Sequence, residues 1–363
     1  MRLFHVGLVL AMTLSLSNSS YSQGCVAIRS TGSACTKMHA DAMKGWQFNI
    51  SYRYFRSFRH FVGTVEQKQR KAEGTEVINW SHTMNLELTR QLDHRWSYSI
   101  YAPILVNTRS SMYEHGGNTG GPSARHKTHS FGLGDVRVAA YRWMLDPMKA
   151  KKGNFQLGMG LKFATGDYRV QDFFYKSNGT VLLGPVDQSI QLGDGGTGFT
   201  TELNGYYDLG PRWSFYGNFF YLLSPREQNG VSTARGDVPT ASSIQYGSST
   251  MSVPDQYMLR GGFNFSLKHF SFSGGLRHEC LPAKDLIGGS SGFRRPGYVT
   301  SFEPGITYEG RKTNFYLTVP AALWRNRTQS VPDKNRTAIT GVYAHGDAAF
   351  ADYSINLGCT VKF

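Results

Sequence analysis

Residues 351–363 read ADYSINLGCTVKF, and their alternation decides the fold. Tyr353, Ile355, Leu357, Cys359, Val361 and Phe363 are apolar or aromatic, while Ser354, Asn356, Gly358, Thr360 and Lys362 between them are small or polar. A repeat of two is the side-chain period of a strand with one apolar and one polar face. One such strand fits a half-buried sheet in a soluble domain equally well, so the rest of the chain must discriminate.

The first residues fix the compartment. Arg2 and His5 precede an apolar run from Val6 to Leu16, and small polar residues ending in SYS lead to Gln23. The run is shorter than the roughly 20 residues of a membrane-spanning helix. Its length, its basic start and its small-x-small end are those of a secretory signal peptide, expected over residues 1–22. The composition, with 41 Gly, 20 Tyr and 23 Phe in 363 residues, favours strands and turns over helices. Charged residues make up only 18%, with a net charge of +14. In an exported chain that excess argues against nucleic acid as a partner and for an anion-friendly lumen or contact with phosphorylated, acidic surface lipid.

The same alternation recurs in pairs. WQFNISYRYF opens at Trp46, and HTMNLELTRQLDHRWSYSIYAPILV holds two alternating runs about a polar turn, which is a hairpin. Four more pairs follow, ending with YVTSFEPGITYE and NFYLTVPAALW, and the last strand completes the set. Short turns such as DPMKAKKGN, DLGPR, KH and EGRKT follow every second strand, whereas the remaining joins are long and rich in Gly, Ser, Thr and Arg. That asymmetry is expected of an all-β fold, a transmembrane antiparallel up-and-down barrel with short periplasmic turns, long extracellular loops and about twelve strands. Because an unpaired backbone group in hydrocarbon costs several kcal/mol, the last strand should close on the first. Trp96, Trp143, Trp213, Tyr308 and Phe363 near strand ends are the expected interfacial girdles. The domain division is then a leader at 1–22, a periplasmic or plug segment at 23–45 and an outer-membrane barrel at 46–363. A terminal Phe also resembles the signal that such barrels present to their assembly machinery, an expected partner alongside outer-membrane lipid, lipopolysaccharide and small solutes.

The run GLGDVRVAAYRW (132–143), with GLKFATGDY (160–168) and IQLGDGGTGF (190–199), resembles the outer-membrane family named for a MetA pathway of phenol degradation. Ala164 stands where that pattern commonly has proline before Thr165 and Gly166, and the likeness covers mainly residues 84–223. It implies a barrel for uptake of aromatic or other small hydrophobic compounds.

For the site, the Gly-rich stretch ECLPAKDLIGGSSGFRRPGY is the leading candidate. Folded inward, it would place Asp285, Arg294 and Arg295 in a constriction able to bind carboxylate or phosphate, with Arg277 and Glu279 on the lumen face just before it. A solvated loop whose arginines bridge lipid phosphates is the equal alternative. Arg53, Arg137, Lys162 and Glu202 fall on inward faces elsewhere, giving a mixed lumen with a basic excess that favours anions. For catalysis, His345 with Asp347 and Asp352, or Ser290 and Ser291, lack the flanking pattern of barrel hydrolases, so no catalytic residue is expected. The expected function is an outer-membrane channel or uptake porin for small molecules, aromatic or hydrophobic acids among them. The alternatives are a non-conducting structural or surface-interaction barrel and, behind it, an outer-membrane lipid hydrolase.

Cys25 and Cys35 sit close together in an oxidising compartment and are expected to form a disulfide. Ligation of a metal with His39 is the weaker reading, so neither metal nor cofactor is expected. Cys280 and Cys359 fall at opposite ends of two strands and should be free thiols. Mass mapping without reductant is expected to find Cys25 linked to Cys35; a Cys280–Cys359 link would show the strand registers to be wrong.

Overall fold

The computed structural model describes residues 44–363, so the expected leader and the Cys25–Cys35 loop lie outside the described residues. Twelve antiparallel strands form one closed barrel. They are β1 (Gly45–Val62), β2 (Ile78–Gln91), β3 (Trp96–Ser111), β4 (in two runs, His126–Leu133 and Arg137–Trp143), β5 (Gly153–Lys162) and β6 (Gly198–Asp208). The second half holds β7 (Trp213–Leu223), β8 (Gln256–Leu267), β9 (Phe270–Leu281), β10 (Gly297–Glu309), β11 (in two runs, Thr313–Thr318 and Ala321–Arg327) and β12 (Ala348–Lys362). The gap in β11 falls at Val319 and Pro320, where the proline has no N–H to give the ladder. In β4 the gap is Gly134, Asp135 and Val136, and both runs still pair with β3.

Closure is the pairing of β12 with β1. Phe48 faces Val361, Ile50 faces Cys359 and Tyr52 faces Leu357. At the seam's end the Trp46 N–H donates to the Phe363 carbonyl at 2.7 Å and the Phe363 N–H donates back at 2.9 Å. The backbone of Phe363 thus supplies the last two rungs of the closing ladder.

The joins at 92–95, 144–152, 209–212, 268–269 and 310–312 are the short ones, at the end that holds Gly45 and Phe363. The long joins at the other rim carry three short helices, α1 (Lys68–Ala72), α2 (Ala241–Tyr246) and α3 (Val331–Thr340). In outer-membrane barrels the short turns are periplasmic, which orients this one.

Strand parity turns the usual soluble arrangement inside out. Asn49, Ser51 and Arg53 point inward at 5, 7 and 7% exposure, while Met159, Leu203 and Phe263 point outward at 72, 41 and 51%. An apolar outer band around a polar lumen is what a spanning barrel needs, and this is a bacterial outer-membrane barrel. Trp96, Trp213, Tyr308 and Phe363 are exposed at strand ends, as girdle residues should be. Trp143 is not. It shares the inward parity of Arg137, Ala139 and Tyr141, is buried, and meets Tyr206 edge-on at 6.0 Å. Cys280 and Cys359 are both free thiols.

Leu203 lies midway along β6 on the outer face, between Leu157 and Phe219 in register. Leu203→Arg should therefore destabilise the folded barrel by about 2–4 kcal/mol, the cost of a lipid-facing arginine near the bilayer midplane. Urea titration of the barrel in vesicles checks this.

Candidate functional site

The lumen is built from charges that face inward because strand parity puts them there. On β8 and β9, Arg260 and Arg277 are directly opposite, a like-charge pair that would repel if left alone. Glu303 of β10 resolves it, accepting from Arg260 Nε at 2.7 Å and from Arg277 at 3.5 Å. Arg277 also donates to Glu279 at 3.0 Å. Glu279 then reaches across to β1, where Arg53 donates to both of its oxygens at 3.1 and 3.3 Å. Buried charges of this kind persist only when paired and hydrogen-bonded.

On the other wall, Arg137 of β4 pairs with Glu202 of β6. The Tyr141 hydroxyl donates to the same carboxylate at 2.9 Å, and the Arg137 guanidinium lies 3.9 Å from the centre of the Tyr101 ring. Lys162 at the end of β5 pairs with Asp135 at 3.2 Å and with Asp194.

Asp135 explains why three separated Gly-rich motifs occur together. It sits in the gap of β4, and its two oxygens accept from the Gly166 N–H at 3.0 Å and the Asp194 N–H at 3.2 Å. One carboxylate therefore gathers the start and the end of the 163–197 join. Gly193 has to be glycine, because a Cβ there would lie 2.5 Å from Asp135 Oδ1 and 2.6 Å from the Gly166 carbonyl oxygen. Between these ties the join first forms an exposed hairpin, Gln171–Tyr175 with Val181–Pro185, and its later part, 186–194, folds into the barrel, where Ile190, Gln191 and Leu192 are buried.

The tip of this inserted join is pinned by Asp187, which caps the turn Gln188–Ile190 by accepting from the Ser189 N–H at 3.0 Å. Arg295 grips it with two bonds of 2.9 and 2.6 Å, Arg235 donates at 3.2 Å, and Arg109 lies 3.6 Å away. Burial alone would raise the Asp187 carboxyl, but the guanidiniums of Arg109, Arg295 and Arg235 overcome that and hold it far below the ordinary carboxylate range. Glu114 completes the cluster, accepting from Arg109 at 2.8 Å and Arg235 at 2.6 Å. Three cations face two acids there, a net charge of +1.

Between this inserted join and the wall lies a cavity of about 170 Å³. Its polar lining includes Arg53, Arg137, Lys162 and Arg295 against Asp135 and Asp194, four cations to two acids. Phe55, Leu105, Phe220 and Leu222 supply apolar surface. Two smaller cavities of about 20 and 30 Å³ are lined in part by Arg277 and by Glu279 respectively.

Within the Gly-rich 282–296 join the two arginines are placed apart. Arg295 lines the main cavity, whereas Arg294 is fully engaged elsewhere, with two bonds of 2.6 Å to Asp285 and one of 3.0 Å to Ser252 Oγ. Arg294 thereby ties its own join to the one before it, and Asp285 adds a second tie by accepting from the Asp255 N–H at 2.9 Å. Asp347 is not the partner of His345. It bonds His60 Nδ1 at 3.0 Å, while His60 Nε2 accepts from the Val77 N–H at 2.9 Å and His345 Nε2 donates to the Arg327 carbonyl at 2.6 Å. Asp352 lies on the outer rim with Arg59 and Arg325. Asp187, Arg109, Glu114 and Arg235 were missed by sequence reasoning, and no local pattern marks them.

No protein-family model matches the sequence, and no curated protein does. Among solved structures, an outer membrane channel from Pseudomonas putida F1 is similar in fold at a TM-score of 0.55 and 15% identity, with 88% of this chain and 96% of that one covered. Weaker likenesses are to the translocator domain of the autotransporter NalP from Neisseria meningitidis (TM-score 0.43, 12% identity, covering 88% of each chain) and the P. putida toluene transporter TodX (TM-score 0.41, 8% identity, covering 89% and 91%).

Removing the pin should release the inserted join. Asp187→Asn leaves Arg295 and its neighbours short of an acid, a loss of about 3–5 kcal/mol for one partner of a buried pair. Limited proteolysis should then cut within 163–197, while the heat-modifiable gel shift of the barrel is retained; an uncut variant would show that Asp135 alone holds the join.

Proposed function

We propose that this barrel is an outer-membrane channel for small anionic solutes, aromatic or hydrophobic acids among them. The observation that carries the reading is the lumen cavity, where Arg53, Arg137, Lys162 and Arg295 stand beside Phe55, Leu105, Phe220 and Leu222. A ring or short chain would lie on the apolar side while a carboxylate meets the guanidiniums, Arg being suited to hold both carboxylate oxygens. The fold shared with an outer membrane channel supports conduction. Of the cations lining the cavity, Arg137 faces Glu202 and Lys162 faces two acids, whereas Arg295 and Arg53 belong to sets that each keep one positive charge in excess, Arg295 in the Asp187 cluster and Arg53 with Arg260 and Arg277 against Glu279 and Glu303.

A non-conducting barrel is the second reading, favoured by the stretch 186–194 folded into the lumen. Planar-bilayer recording separates the two. Wild type should conduct with anion preference, read as a reversal potential under a salt gradient, and benzoate should reduce the chloride current. Arg295→Ala should shift the reversal potential toward cations, because a fixed charge acts more strongly in a narrow, partly desolvated passage than at an open surface. Arg294→Ala should leave it unchanged. Absence of current from both wild type and Asp187→Asn would select the structural barrel.

A further inference from the structure

The outer wall carries a second concentration of cations that the lumen does not use. At the long-loop rim Arg56 of β1 is exposed and faces outward, its guanidinium 4.6 Å from the Phe58 ring centre and 5.8 Å from that of Trp80, its register partner on β2. Lys71 of α1 lies 5.7 Å from the Phe58 ring, and Lys127 of β4 lies 5.7 Å from the Trp80 ring. Three cations from three elements thus converge on two rings, a geometry that holds flexible side chains in place.

None of the three has an ion-pair partner among the described residues, in contrast to their neighbours. Arg59 is taken up by Glu66 at 2.6 Å and Asp352 at 2.8 Å, and Arg325 by Asp352 at 2.7 Å. The height of the patch follows from the strand. From Trp46, in the periplasmic girdle, to Arg56 is ten residues on one outward-facing row. At about 3.3 Å per residue and a tilt of about 40°, that climb is about 25 Å, one apolar band. Arg56 therefore stands at the opposite interface, where lipid headgroups of the outer leaflet lie. Immediately below it, Tyr54, His82, Val106 and Phe131 form one register row across four strands, with Val106 and Phe131 exposed for acyl chains.

We infer that Arg56, Lys71 and Lys127, set on Phe58 and Trp80, form a docking site for a phosphorylated glycolipid of the outer leaflet, the phosphate on the cations and the acyl chains along the row beneath. The inner rim offers a built-in comparison, with Arg90 over Trp46 at 5.0 Å and Arg142 over Trp96 at 5.2 Å.

The test is a titration of the purified barrel, in detergent with EDTA, by bis-phosphorylated lipid A, with bound lipid counted by native mass spectrometry. Wild type should bind it. The variant Arg56→Ala/Lys71→Ala/Lys127→Ala should lose affinity on the order of tenfold to a hundredfold. Arg90→Ala/Arg142→Ala should keep it, and every variant should retain the heat-modifiable gel shift, since all five side chains are on the outer surface. Dephosphorylated lipid A should bind wild type no better than it binds the triple variant, and millimolar inorganic phosphate should not compete. Unchanged binding by the triple variant, an equal loss in the inner-rim variant, or displacement by inorganic phosphate would each overturn the inference.

Discussion

The seam between β12 and β1 is the constraint on which the rest of the structure depends. Within hydrocarbon no water is present to satisfy a backbone N–H or C=O, so a sheet can span only if it has no edge. Closing it with an even number of strands puts Gly45 and Phe363 at one end, where all the short turns lie, and consigns every long join to the other rim. Strand parity then divides side chains between lipid and lumen, and the lumen inherits the polar set. The fold is thus a consequence of backbone hydrogen bonding first and of side-chain burial second, the reverse of the weighting in a soluble core.

Given a lumen lined by charge, the next requirement is electrical. Arg260 and Arg277 face each other only because Glu303 stands between them, and Arg53 is tolerated because Glu279 reaches it from across the barrel. These pairs fix the walls. A different pair of carboxylates, Asp135 and Asp187, governs the 163–197 join by gathering its ends and holding its tip. The join is therefore anchored at its ends and its turn by charged groups, with Val186, Ile190 and Leu192 buried between them.

Much of this was legible in the sequence. Period-two alternation marked every barrel strand, and the alternation of short and long joins gave strand number and orientation, because both are local signals that hydrogen-bond geometry imposes directly. The direction of Trp143 was not legible, since an aromatic near a strand end reads as a girdle residue until parity with Arg137 and Tyr141 places it inside. The neighbours Arg294 and Arg295 looked like one feature, yet adjacent residues on an extended chain point opposite ways, and theirs reach Asp285 and Asp187 respectively. Asp187 itself stayed hidden because its partners Arg235 and Arg295 are 48 and 108 residues away, and only the closed barrel brings them together.

The closing ladder also dictates the order of events during folding. Asn49 and Thr360, bonded across the seam, are 311 residues apart in sequence. Almost the full chain must be ordered before that pairing returns any free energy, so loop-closure entropy falls on the last step and the intermediates carry two open edges. Such intermediates would pair with one another as readily as with themselves. The rate at which β12 finds β1, relative to the rate at which chains find each other, decides how much of this protein becomes barrel and how much aggregates.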